Sequence, residues 1–376
     1  MLKDFNKFVV AAVAVLSVMF LLMLGAAKGD SAVVDEVPHI TAGYGYLTKL
    51  DYRLNPEHPP LVKVLAAVSD WIFVRPNFPS DAPEWKEATN GQWDMGGRFL
   101  YVSGNDADAV VLWARVPVML LGVLLGWLIF VWTRKRFGDL TGLLALIFYA
   151  FSPTVLAHSH YVTTDLAASF GFFTGIVSFL QFLEKPSWKN AVLAGLVLGI
   201  GLLMKFSVIL LIPIYLVILI FWRKGFKFIG RYAVKFAVLM VVALSLIWLT
   251  YGVFTWNYPP ERQMHDTAII LEGNHSVLAD FDRALTGNSF TRPLGEYLLG
   301  VLMVNQRLDT SGNGLFWYFP AVYLFKEPLA LHILTVIAIS LGVWRWRERR
   351  EKTLKTGKNG FAMVFLFCIG VYLALS

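Results

Sequence analysis

Long apolar runs recur along this chain, near 8–27, 109–133, 139–157, 164–183, 232–254, 316–344 and 361–376. A helix needs about 20 mostly apolar residues to cross the hydrocarbon core. Runs of that length predict an all-α polytopic membrane protein. The stretch 190–222 is equally apolar but too long for one comfortable span, with Lys205 near its middle and Pro213 beyond. A single helix would bury that ammonium at mid-membrane at a cost of several kcal/mol. Two short helices meeting near Lys205 avoid the cost, which brings the expectation to about nine spans. Charge agrees with this class: only 16% of residues are charged, against roughly 25% in soluble domains.

The formal net charge of +7 is assigned to membrane topology, and no nucleic-acid partner is expected. With the N-terminus inside, the inner loops hold Lys3 and Lys7, Arg134 to Arg136, Lys185 and Lys189, then Arg223, Lys224, Lys227, Arg231 and Lys235. The last inner cluster runs from Arg345 to Lys358. The long outer segments, about 28–108 and 255–315, are rich in Asp and Glu instead. This positive-inside bias holds only if 190–222 crosses twice. The first run is read as a retained helix over a cleavable signal, because its apolar core exceeds the usual 7–15 residues. The lone cysteine, Cys368, lies in an apolar run and excludes an intrachain disulfide.

One transmembrane domain is expected over residues 1–376. In the first outer loop, Leu61, Val64, Leu65, Val68, Trp71 and Ile72 follow Pro59-Pro60 at helical spacing. That predicts a helix lying in the membrane interface with proline at its first turn. A similar stretch, Leu294 to Leu308, closes the second outer loop. The chain stops inside an apolar run at Ser376, from which further C-terminal sequence is expected.

Polar residues converge on one membrane face under this parity. They are Asp35-Glu36, His58 and Lys63, Arg115, the turn containing His158, His160 and Asp165, then Lys205 and Lys326. Each has a plain alternative. Asp35-Glu36 are ordinary loop acids or functional ones, and Asp165 either caps a helix or works in a site. His158 and His160 form a metal pair or a polar turn, at a spacing that shares no helix face and matches no compact metal motif. Lys63 and Arg115 snorkel or bind. Ionisable groups at membrane depth mark functional sites by default. A carboxylate near the lipid boundary, ringed by cations, suits displacement of a lipid-linked phosphate: the carboxylate takes a proton from an acceptor hydroxyl and the cations stabilise the departing phosphate.

The ordered set resembles a known group. Asp35-Glu36 with His39-Ile40-x-x-Gly43-Tyr44, then His58-Pro59-Pro60-Leu61-x-Lys63, look like the first outer loop of the protein O-mannosyltransferases and the related bacterial aminoarabinose transferases, which have the GT-C fold. His158-x-His160-x-x-Thr163-Thr164-Asp165, Gly201-Leu-Leu-Met-Lys205-Phe, Phe316-Trp317-Tyr318-Phe319-Pro320 and Lys326-Glu327-Pro328 resemble later motifs, so the resemblance spans nearly the whole chain. It implies inverting transfer from a polyprenyl-phosphate sugar to a hydroxyl of a protein, lipid or glycan, on the outer face of a bacterial inner membrane. Asp35, beside Glu36, is then the catalytic base. Lys63, Arg115, Lys205 and Lys326 become candidate phosphate contacts, and His58, His158, His160 and Asp165 substrate-site residues. No cofactor is required by these motifs, and a divalent metal is left open. The rivals are transfer of a larger lipid-linked oligosaccharide and, in a different class, a transporter or flippase for a polar lipid.

Overall fold

The computed structural model describes residues 7–222, 229–310 and 340. Among these every regular element is helical. Helix α1 (Lys7–Gly29) is the first span, and α2 (Glu36–Lys49) and α3 (Leu61–Phe73) follow at one end of it, the end that the charge pattern predicts to be outer. Two short helices, α4 (Pro83–Lys86) and α5 (Gln92–Gly97), lead through a π-helical turn into α6 (Ala107–Phe137). The bundle continues with α7 (Asp139–Ala150), α8 (Pro153–His158), α9 (Asp165–Glu184), α10 (Trp188–Met204), α11 (Leu211–Trp222) and α12 (Ile229–Phe254). The second outer loop folds as α13 (Pro260–Ile270), α14 (Val277–Thr286) and α15 (Arg292–Thr310).

Among the described residues four helices are long and apolar enough to cross a membrane: α1, α6, α9 and the Tyr232–Phe254 part of α12. Their outward faces stay apolar, with Val10, Val13 and Leu21 exposed on α1 and Val234, Val241 and Leu249 exposed on α12. Apolar side chains left bare on a bundle of this kind are its lipid-facing surface. The chain is thus an all-α polytopic membrane protein, as its sequence predicts.

The expected division at Lys205 is present. Lys205 adopts an extended conformation (φ −154°, ψ 138°), ending α10 before a 3-10 turn over Phe206–Leu210. The expected single span 139–157 is instead two helices, broken at Phe151-Ser152. Proline offers no N–H to the preceding turn and disfavours the helical conformation in the residue before it. Ser152 therefore takes an extended backbone and caps α8, its hydroxyl accepting from the Val155 amide, with Pro153 at the first helical position. Twelve-residue α7 is about 18 Å long at 1.5 Å per residue. The spans expected at 316–344 and 361–376, and the basic clusters at 223–227 and 345–358, lie outside the described residues.

Helix α3 is inside out relative to a helix in water. Lys63, Ser69 and Asp70 are buried, whereas Leu65, Val68, Trp71, Ile72 and Phe73 are exposed, Trp71 by 56%. Its polar face packs on α2 and α6 and its apolar face looks out, the disposition of a helix at the membrane interface. Close approach fixes it to α2, because a Cβ at Gly43 would run into the backbone carbonyl of Lys63. Small residues serve the membrane helices in the same way: a Cβ at Gly195 on α10 would sit 2.5 Å from the Leu239 carbonyl of α12.

The two outer loops clasp each other above the bundle. Arg262 donates to the carbonyls of Lys86 and Glu87, Thr89 donates to Asp266, and the Asn257 amide reaches the Leu50 carbonyl. Together they form one outer layer. Gly43→Ala places a methyl against a main-chain atom that cannot swing aside. It is expected to cost about 1–3 kcal/mol, read as a lower unfolding temperature of the detergent-solubilised protein, whereas Gly97→Ala, where a Cβ meets nothing within 4 Å, should leave it nearly unchanged.

Candidate active site at the outer end of the bundle

Arg115 and Glu36 form the centre of this region, and both are fully buried. Arg115 on α6 donates to Glu36 through Nε (2.9 Å) and Nη2 (2.6 Å). Its remaining N–H groups reach the carbonyls of Ala27, Asp30 and Ser31, each at 2.9 Å. All five guanidinium donors are thereby used. Glu36 in turn accepts from the amides of Val33 (3.0 Å) and Val162 (2.8 Å). One ion pair thus ties the end of α1, the start of α2, the first third of α6 and the turn before α9. Neither side chain retains hydrogen-bonding capacity directed at a substrate.

Asp35 differs from its neighbour. It is the N-cap residue of α2, with helical φ and ψ, an exposed side chain and no capping bond. Among the described residues no hydrogen bond or ion pair engages its carboxylate. Successive residues at a helix start point about 100° apart, so fixing Glu36 inward turns Asp35 out.

A second group lies around the start of α9. Asp165 accepts from Lys205 Nζ at 2.6 Å, and its other oxygen lies 3.5 Å from His158 Nδ1. The extended backbone at Lys205 is what brings its ammonium to α9. His160 faces a different carboxylate, with Nε2 3.1 Å from Asp30, to which Tyr161 also donates (2.9 Å). The two histidines therefore address separate partners and make a polar turn. Among the described residues no group of three or more His, Cys, Asp or Glu is placed to hold a metal.

His39 ties the start of α2 to the turn before α9. Its amide donates to the Asp35 carbonyl (3.3 Å), and its Nδ1 lies 2.8 Å from the Val162 carbonyl. A carbonyl only accepts, so that nitrogen carries the proton and Nε2 keeps its lone pair. Burial, aided by the charge of Lys63, pushes His39 down to about 4. Its ring meets that of His58 edge-on, with centroids 4.8 Å apart.

Lys63 is completely buried, and Nζ reaches the His58 carbonyl (2.6 Å), both oxygens of Asn55 (2.9 Å each) and the Tyr46 hydroxyl (3.0 Å). Burial holds it well below the usual lysine range. It organises the turn 55–58, where Asn55 takes a positive φ of 51°, and lies above the stacked rings of Tyr46 and Tyr52 (4.1 Å between centroids). Of the four cations proposed as phosphate contacts, Lys63 and Arg115 are thus committed to protein partners. Lys205 retains 29% exposure, and Lys326 lies outside the described residues. Sequence reasoning missed Asp30 and Tyr161, and gave His39 no role of its own. Repeated polar and aromatic residues between Asp30 and Asn55 were the available signal.

A cavity of 510 Å³ opens between the end of α12 and the 289–293 segment, lined by Trp248, Val253, Trp256, Phe290, Arg292 and Pro293 among others. It shares no lining residue with the Asp165 group.

Helices that cross the membrane, joined to an outer layer and a carboxylate–cation cluster at one end, define a class of membrane-embedded enzymes. The family model of the dolichyl-phosphate-mannose-protein mannosyltransferases matches residues 99–248. It supports a GT-C-type glycosyltransferase with polyprenyl-phosphate-sugar mannosyltransferase-type activity in general terms. The match is narrower than the resemblance seen in the motifs, taking in Arg115, His158, His160, Asp165 and Lys205 but not Asp35, Glu36, His58, Lys63 or Lys326. Neither a curated protein nor a solved structure matches the chain.

Removing one partner of a buried ion pair strands the other's charge and costs about 3–5 kcal/mol. Arg115→Met is expected to destabilise the protein by that order in thermal or denaturant unfolding. Arg115→Lys should recover only part of the loss, because an ammonium cannot supply five forked donors.

Proposed function

We propose that the chain transfers a sugar from a polyprenyl-phosphate carrier to an acceptor hydroxyl of a protein, lipid or glycan at the outer membrane face, with Asp35 as general base. The observation that carries this reading is the exposed, unengaged Asp35 carboxylate standing one residue from the fixed Glu36. The acceptor oxygen attacks the anomeric carbon while its proton passes to Asp35. The bond from that carbon to the phosphate oxygen breaks, and the electron pair leaves with the polyprenyl phosphate. A single displacement inverts the anomeric centre. Lys205, held at the outer surface by Asp165, is the described cation best placed to stabilise charge on the leaving phosphate. Glu36 and Arg115 position Asp35 without touching substrate, and Lys63 shapes the turn bearing His58.

The carrier's hydrocarbon chain remains in the bilayer, so chemistry at the outer ends of α1, α6 and α9 needs no extraction of the lipid. A bacterial inner membrane with this face outward suits both the topology and a polyprenyl donor. Reconstitution of the full-length protein in proteoliposomes with polyprenyl-phosphate sugars and an acceptor extract tests the proposal through release of free polyprenyl phosphate. Asp35→Asn is expected to lower turnover by about 10²–10⁴-fold, the usual size of a general-base contribution, while donor binding persists. Equal release from both proteins removes Asp35 as the base. No release from either, across several donors, favours a flippase.

A further inference from the structure

The second outer loop buries a set of polar side chains that the transfer chemistry does not use. Helices α13, α14 and α15 each turn one polar face inward. Gln263 and Thr267 lie one helical turn apart on α13, Asp282 and Thr286 one turn apart on α14, and Glu296 stands on α15. All five are at least 97% buried. Gln263 Nε2 donates to Glu296 at 2.7 Å, joining α13 to α15. Gly295 packs so closely on α14 that a Cβ there would fall 2.5 Å from Thr286 Oγ1.

The hydrogen-bond inventory of this set is unbalanced. Both carboxylate oxygens of Asp282, the hydroxyls of Thr267 and Thr286 and the amide oxygen of Gln263 have no partner. Buried polar atoms are paired in the great majority of cases, and each exception needs a reason. Five orphaned oxygens on facing helices have one physical feature in common: they are electron-pair donors. Nearby cations are spent elsewhere. Arg283 binds Asp280 and the carbonyls of Leu271 and Asn274, and Arg292 binds the carbonyls of Tyr258 and Thr255. Asp282 is close enough to Glu296 to repel its charge, and two neighbouring carboxyl groups leave room for a charge of +2.

We infer that this set binds one calcium-type divalent cation, with Asp282, Glu296, Gln263, Thr267 and Thr286 as its oxygen ligands. Calcium takes 6–8 oxygens, mixing carboxylates with neutral donors in flexible geometry. The two Asp282 oxygens, one from Glu296, the Gln263 carbonyl oxygen and the two hydroxyls supply that lower number. Absence of histidine and cysteine from the set disfavours zinc or copper. The ion would tie the three helices together. A Cβ at Gly300 of α15 would run into the Pro56 carbonyl and the Phe206 ring, so the same ion would steady the wall against which the 55–58 turn is packed.

Thermal unfolding of the full-length protein in detergent tests this independently of sugar transfer. Protein stripped with chelator should gain about 4 °C or more when calcium is restored to well above its dissociation constant. Magnesium, sodium or potassium at equal ionic strength should not reproduce the gain. Equilibrium dialysis with radioactive calcium should find one ion per chain. Asp282→Asn should abolish both binding and the thermal response, and Thr286→Ala should weaken binding at least several-fold. Absence of any calcium response in the native protein, an equal response to every salt, or unchanged binding in Asp282→Asn would each overturn the inference. Should Asp282→Asn fail to fold, the native comparison and Thr286→Ala decide it.

Discussion

An arginine and a glutamate withdrawn from water are unfavourable until their attraction and hydrogen bonds offset the lost hydration. Arg115 and Glu36 meet that condition by engaging five carbonyl or carboxylate acceptors and two backbone amides between them. Because the pair and its partners come from three separate stretches of chain, 27–36, Arg115 and Val162, satisfying one ion pair sets where α1 ends, where α2 begins and how the 159–164 turn sits. Asp35 is aimed by this arrangement without belonging to it. The lock therefore converts a structural requirement into the orientation of the proposed base, and His39 is bonded to the carbonyl of the same Val162 residue.

The outer layer follows from similar reasoning about unpaired groups. The turn 55–58 has no regular secondary structure of its own, so its carbonyls need donors from elsewhere. Lys63 supplies them from below, while Gln92 bonds both Asn55 and Glu57. A chain that must present irregular backbone beside a membrane satisfies it with side chains, and these are the residues that motif reading marks as functional.

Much of the helical framework was legible because membrane burial demands length and apolarity at once. The division at Lys205 could be read from the cost of an ammonium at mid-membrane, and the α3 stripe from its spacing. The break at Ser152-Pro153 was passed over because hydropathy averages across it, although the proline carried the signal. Within the site, Asp35, Asp165 and Lys205 could be singled out by type and place. The distinction between Asp35 and Glu36 came only from the family resemblance, since by residue type adjacent carboxylates look alike until a partner 79 residues later in the chain engages one. Lys63 illustrates the same limit: a lysine near a lipid boundary reads as snorkelling or phosphate-binding, and only tertiary contacts reveal four acceptors waiting for it.

The inverted helix α3 has a consequence for the lipid itself. Its buried face is anchored to α2, Phe73 at its end stacks on Trp113, and among the described residues the face from Leu65 to Ile72 is left bare for hydrocarbon. The helix therefore floats at a depth set by the bilayer. The turn bearing His58 immediately precedes it, so under the proposed function part of the donor site is held in register with the headgroup plane, where a carrier lipid also parks its phosphate. Enzyme and substrate then take their altitude from one shared reference, and membrane thickness becomes a parameter of their alignment.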